Sequence, residues 1–124
     1  MSIFHDQDKF LQAGDVEKFT LEAEKLANTL IAEEYLELQE EAFFFNDQDP
    51  TDTIKEALDL IYVTAQYLNV TIGPDKAKEC WDALQENNMS KCVDGKLVKR
   101  EDGKILKPEG YKKLDLGELL DGTL

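Results

Sequence analysis

Four carboxylates in this chain stand at spacings that suit divalent-cation chemistry. Helical segment Leu21–Asn46 carries Glu33-Glu34-Tyr35-Leu36-Glu37, and segment Thr51–Asn69 carries Glu56-Ala57-Leu58-Asp59. In each, two acids sit three residues apart and share one helix face. On the first helix the row Leu26, Leu30, Glu34, Glu37, Glu41 begins apolar and turns acidic without leaving its stripe. Beside it the row Ala27, Ile31, Tyr35, Leu38, Ala42, Phe45 stays apolar. The acids therefore border the buried seam, not the solvated back. Two helices packed antiparallel through that seam would bring Glu34, Glu37, Glu56 and Asp59 together. Carboxylates at close range must protonate, separate or bind a cation. An all-oxygen set suits Mg²⁺ or Mn²⁺. The competing account is chance, since a chain with 27 acids places such pairs readily on solvated faces. The position beside the seam favours a site. Glu40 and Glu41 read as surface residues or neighbours of ligands.

The elements that would position these acids form an all-α, antiparallel bundle of about four helices. Ile3–Ala13 reads as a short amphipathic helix anchored by Ile3, Phe4, Phe10 and Leu11, with Gly14 ending it. Asp15 is the expected N-cap of a long helix from about Val16 to about Phe45. Asn46-Asp47-Gln48-Asp49-Pro50 breaks it. Thr51 or Asp52 can cap the third helix, whose expected seam is Ile54, Leu58, Ile61, Ala65, Leu68. Val70-Thr71-Ile72-Gly73-Pro74 reads as a turn, and Asp75 can open a fourth helix to about Asn88. The character then changes. Asp94-Gly95 and Asp102-Gly103 are turn signals about one strand apart, flanking Lys96-Leu97-Val98 and Lys104-Ile105-Leu106. They predict a small hairpin or ribbon, then an extended tail through Pro108, Tyr111 and Leu114. The reading is one domain over 1–124, with a helical core over about 15–90 and a basic hairpin and tail over about 91–124.

Charge is unevenly spread. The chain has 124 residues and a formal net charge of −13, which argues against nucleic acid and anionic membranes as partners. Residues 1–90 hold 20 acids and 6 bases, whereas residues 91–113 hold 8 bases and 4 acids. A basic segment following an acidic helical body suits a ligand that is both metal-bound and phosphorylated. No apolar run approaches membrane length, and Met1–Gly14 lacks the apolar stretch of a signal peptide. Cys80 and Cys92 read as free thiols in a reducing cytoplasm. With one histidine in the chain, a Cys/His zinc site is not expected.

From about Leu30 to Leu116 the chain resembles the all-α nucleoside triphosphate pyrophosphohydrolases, which include MazG, the dimeric dUTPases and phosphoribosyl-ATP pyrophosphohydrolase. Leu30-Ile31-Ala32-Glu33-Glu34-Tyr35-Leu36-Glu37-Leu38 is similar to that family's first acidic helix. Lys55-Glu56-Ala57-Leu58-Asp59-Leu60-Ile61-Tyr62-Val63 is similar to its second. The tail resembles the small MazG-like group through Asn88-Met89-Ser90-Lys91, Asp94-Gly95-Lys96 and Arg100-Glu101-Asp102-Gly103-Lys104, with Lys107 and Tyr111 beyond. The resemblance implies that Glu34, Glu37, Glu56 and Asp59 are metal ligands and that Glu33 orients a ligand or a water. It makes Asn88, Lys91, Arg100, Lys104, Lys107 and Tyr111 candidates for contacts with phosphate, sugar or base. Gln85 stands where many relatives carry histidine, and Leu114 where they often carry proline. Neither departure removes a metal ligand.

The implied reaction splits a nucleoside triphosphate into monophosphate and pyrophosphate with Mg²⁺, or Mn²⁺ in its place. Glu37 or Glu34 is expected to take the proton of the attacking water. The basic tail residues would hold the departing pyrophosphate, Arg100 through its fork. Each of these cations has the plainer reading of a solvated surface residue. Phe43-Phe44-Phe45 points three ways around a helix and would pack at a subunit interface or over a base. Trp81, Tyr62 and Tyr67 read as packing residues, and His5 as incidental. A homodimer or homotetramer is expected, with a two-fold dimer the simplest closed assembly. The other readings are a dedicated dUTPase or dCTPase, a phosphoribosyl-ATP pyrophosphohydrolase, and a non-enzymatic acidic helical interaction module.

Overall fold

A computed structural model describes residues 2–43 and 50–123. Its elements run α1 (Ile3–Ala13), α2 (Leu21–Phe43), α3 (Thr51–Ile72), α4 (Pro74–Met89), β1 (Cys92–Val93) and β2 (Lys96–Leu97). The architecture is all-α with one small antiparallel hairpin, as the periodicity predicts. Contacts divide the chain into two compact units, one of residues 1–77 and one of residues 78–123. Each is described separately.

In the first unit α2 and α3 pack antiparallel. Ala27 of α2 meets Val70 of α3, while Glu34 meets Glu56 and Asp59, so the pairing runs in opposite directions. The expected start of α2 is corrected. Asp15 is not its N-cap; it lies at φ 52° in a linker, and the helix opens at Leu21. Thr20 makes the cap, its Oγ1 accepting from Ala23 N at 3.1 Å. The preceding Phe19 N donates to Val70 O at 2.7 Å, which ties the linker to α3 and delays the helix. At α3 the cap position is held by Pro50, which makes no side-chain cap bond, and Thr51 and Asp52 are the first helical residues.

The turn expected at Val70–Pro74 is also displaced. Val70, Thr71 and Ile72 finish α3, and Gly73 ends it at φ 82°, donating to Asn69 O at 3.0 Å. The Phe19 ring lies over Gly73, 3.6 Å from where a Cβ would stand, an ordinary contact, so it is the positive φ that calls for glycine here. Pro74 then opens α4, at the position that loses nothing by lacking an N–H.

α1 crosses only the C-terminal half of α3. Phe4 packs on Ala65 and Ala77, with Leu68 and Ile72 beside them. Leu11 packs on Ala27 and Val70. A buried amide network fixes the register: Asn69 Nδ2 donates to Phe4 O at 2.9 Å and to Gln7 Oε1 at 2.8 Å, and Gln7 Nε2 donates to Gln66 Oε1 at 3.3 Å. The half-buried pair Lys18–Asp8, at 2.8 Å, ties the linker to α1. His5 is not incidental: it bridges Ser2 Oγ at 2.6 Å and Asp75 Oδ1 at 2.7 Å, joining the N-cap of α1 to the first turn of α4.

The expected seam of α3 is therefore only half closed. Ala65 is buried and Leu68 partly so, but against α1 and not α2. Ile54, Leu58 and Ile61, on the same stripe, remain 51–60% exposed. Leu58 and Ile61 line a shallow groove with Ile3 and Asp6 of α1.

In the second unit the chain turns at Asp94-Gly95, both at positive φ, pairing Cys92 with Leu97 and Val93 with Lys96. A second reversal at Asp102-Gly103 makes a bridge between Lys99 and Ile105. The tail is tied to α4 through Asn87, which accepts from the Tyr111 hydroxyl at 2.7 Å and donates to Lys112 O at 2.8 Å.

Candidate metal centre

Glu34 and Glu37 stand one turn apart on α2, Glu56 and Asp59 one turn apart on α3. Antiparallel packing brings the two pairs into the α2–α3 interface. One carboxylate oxygen from each of Glu34, Glu56 and Asp59 lies within 4.8 Å of the others. Opposite oxygens on an octahedral Mg²⁺ stand about 4.2 Å apart. Small side-chain rotations therefore suffice to close the three onto one ion, and this acidic triad can hold a metal.

The environment of these oxygens fits a cation. Oε2 of Glu34 and Oε2 of Glu56 are buried and have no hydrogen-bond partner. A carboxylate oxygen in that position needs a proton or a cation. Burial pushes the Glu34 carboxyl above its ordinary value, and the neighbouring charges of Glu37 and Asp59 push it further. Burial likewise raises Glu56, with Glu37 adding to the effect. Lys55 opposes the shift at both.

Glu37 is outside the close triad but within hydrogen-bonding reach of both Glu34 and Glu56. It is the more exposed acid of the group on α2, so it is both near the cluster and open to solvent. Glu33 is exposed on the same helix, one residue before Glu34.

Sequence reasoning missed Lys55. Its ammonium ion-pairs with Asp59 Oδ2, one turn further along α3. The i,i+4 spacing was visible, but such pairs are common on solvated helix faces and carry no signal of a site by themselves.

The expected substrate contacts belong to the second unit and differ in how free they are. Arg100 is committed locally: its guanidinium grips Asp102, Nε donating at 3.0 Å and Nη2 alongside it. Asp102 also accepts from Lys104 N at 3.1 Å, so this ion pair holds the Asp102-Gly103 reversal. Lys91 and Lys107 both stand over the Tyr111 ring, at 5.8 and 5.6 Å from its centroid. Asn88 is exposed and accepts from Lys91 at 3.3 Å. The Lys104 residue is exposed at the second reversal. Asn87, which the sequence did not single out, organises this group by holding the Tyr111 hydroxyl. A cavity of about 700 Å³ lies between the last turns of α4 and the tail, lined by Asn87, Ser90, Cys92 and Tyr111 among others. None of the four basic candidates lines it.

Of the aromatic residues read as packing or interface, Phe43 and Trp81 are more than half exposed, while Tyr62 meets Phe10 edge-to-face at 5.6 Å. Phe44 and Phe45 lie outside the described residues. Both cysteines are free thiols. Among the described residues no helix is long and apolar enough to cross a membrane. No family model matches the chain, and no curated protein matches it.

Proposed function

We propose that this chain is a Mg²⁺-dependent nucleoside triphosphate pyrophosphohydrolase, releasing a nucleoside monophosphate and pyrophosphate. The observation that carries the reading is the triad of Glu34, Glu56 and Asp59, with two buried, unpartnered oxygens among converging carboxylates. Its substrate class rests on the resemblance of the two acidic helices and the basic tail. Glu34, Glu56 and Asp59 would hold the ion, with Glu37 completing the set or facing the attacking water. A bound Mg²⁺ or Mn²⁺ supplies neutralisation of the phosphates, polarisation at the α-phosphorus and a more acidic water.

The chain's own residues do the rest. Glu37 accepts the proton as the water oxygen bonds to the α-phosphorus and the bridging α–β oxygen departs with pyrophosphate. Glu34 is the alternative proton acceptor, but its buried Oε2 is better suited to a ligand. Lys91 and Lys107, paired over Tyr111, and the exposed Lys104 are the candidates to hold the leaving phosphates. Arg100 serves them indirectly, by fixing the turn that carries Lys104. Asn88 positions Lys91, and Glu33 orients a water or a ligand at the edge.

The uncovered stripe of Ile54, Leu58 and Ile61 supports self-association as a homodimer or homotetramer. The two free thiols fit a cytoplasmic setting. The test is a single substitution. Glu56→Gln should lose Mg²⁺-dependent hydrolysis while keeping its helical circular dichroism. Full Mg²⁺-dependent turnover by that variant would remove Glu56 from the site, and no turnover by the wild type would favour an acidic interaction module.

A further inference from the structure

Lys55 is the only lysine or arginine on α3, and Lys25 the only one on α2. Lys25 precedes Glu34 by nine residues, about 13 Å along the helix axis. Lys55 instead pairs directly with Asp59, and its charge is felt at Glu34 and Glu56 as well. Its side chain is 68% exposed, while that of Asp59 is 32% exposed. The ammonium thus stands at the rim of the cluster and occupies one oxygen of one ligand. It does not reach the buried Oε2 atoms of Glu34 and Glu56, which remain without a donor.

We propose that Lys55 is a resident counter-ion that a divalent metal must displace from Asp59, so that this lysine sets the affinity of the site. This rests on the reading of the triad as a metal centre. The physical argument is competition for charge and for an oxygen. Without metal, Lys55 offsets part of the repulsion among the carboxylates and keeps Asp59 turned into the cluster. With metal, the ion takes the Asp59 oxygen and the freed ammonium is repelled toward solvent along its flexible stem. A divalent ion outcompetes the tethered univalent charge, whereas Na⁺ or K⁺ gains little over what is already there. Lys55 therefore keeps the cluster compact without metal and makes it selective for divalent charge.

Competition predicts a direction opposite to that of a supporting residue. Protein stripped with EDTA is titrated with Mn²⁺ alone, following free Mn²⁺ by electron paramagnetic resonance, for wild type, Lys55→Met and Lys55→Arg. Lys55→Met should bind Mn²⁺ about three- to fivefold more tightly than wild type, the size expected when one exposed charge is removed from an ion pair. Lys55→Arg should stay within about twofold of wild type, as its charge is kept. Metal-free Lys55→Met should melt below wild type, and saturating Mn²⁺ should close that gap. Should Lys55→Met fail to fold, Lys55→Gln takes its place in the titration. Unchanged or weaker Mn²⁺ binding on loss of the charge overturns the proposal. A wild-type protein with no saturable Mn²⁺ binding overturns the metal centre itself, before any variant is compared.

Discussion

Glu34 and Glu56 are acids whose neighbours are chiefly other acids, and this has a measurable cost in the absence of metal. Burial and then the adjacent carboxylates raise both above the ordinary value of 4.5. A folded pKa above the unfolded one means that the native state binds more protons in that window. Their contribution to stability is therefore full below about 4.5 and is lost as pH rises through the raised values. In EDTA, Glu34→Gln should gain in melting temperature relative to wild type as pH rises from 4.5 to 8, and a pH-independent difference would count against the cluster. Asp8 runs the other way. Burial pushes it up, but hydrogen bonds from Lys18 and Gln12 outweigh that and hold it below its ordinary 3.8. Its contribution is present above 3.8 and lost as pH falls through the lowered value. Glu37→Gln separates ligand from base: turnover should fall at least about a hundredfold while Mn²⁺ affinity changes far less than in Glu56→Gln. Equal losses of affinity in the two variants would make Glu37 a ligand. The acids were legible because spacing and stripe alone placed them. Lys55 and Asn87 were not, because their roles arise from partners that only folding supplies.

The elements position these residues through a few polar contacts that periodicity does not report. The amides of Gln7, Gln66 and Asn69 lock α1 on α3, and Asn69 Oδ1 is itself buried without a partner. Asn69→Ala should cost about 1–3 kcal/mol, since it removes the donor to Gln7 Oε1 in the buried network; chemical denaturation measures it. Gly73→Ala should destabilise by about 1 kcal/mol, because φ is positive at this position. The late start of α2 and the extra turn of α3 were illegible for the same reason. Asp15 has the chemistry of a cap, but Phe19's bond to Val70 decides where the helix opens. The two hairpin turns were readable, since an Asp-Gly pair readily supplies the positive φ that a tight reversal needs, at Asp94 and Gly95 in the first and at Gly103 in the second.

At the scale of the whole molecule, a stripe that the sequence assigned to the core stays open. Ile54, Leu58 and Ile61 continue the row of Ala65 and Leu68 but stay more than half exposed. Apolar periodicity marks a face for burial without saying whether its partner is the same chain or a second copy. Ile61→Lys should therefore shift the species seen by sedimentation equilibrium toward monomer while leaving helical content intact; an unchanged mass would remove this stripe from the interface. The charge asymmetry, acidic over 1–90 and basic over 91–113, also belongs to this scale. Under the proposed function the acidic segment would serve the metal and the basic segment the phosphates. The most direct test incubates the protein with Mg²⁺ and a panel of canonical and modified nucleoside and deoxynucleoside triphosphates, resolving products by phosphorus NMR. The account predicts monophosphate and pyrophosphate in equal amounts, abolished by EDTA and restored by excess Mg²⁺. Release of orthophosphate, or no turnover of any substrate with Mg²⁺ or Mn²⁺, would contradict it.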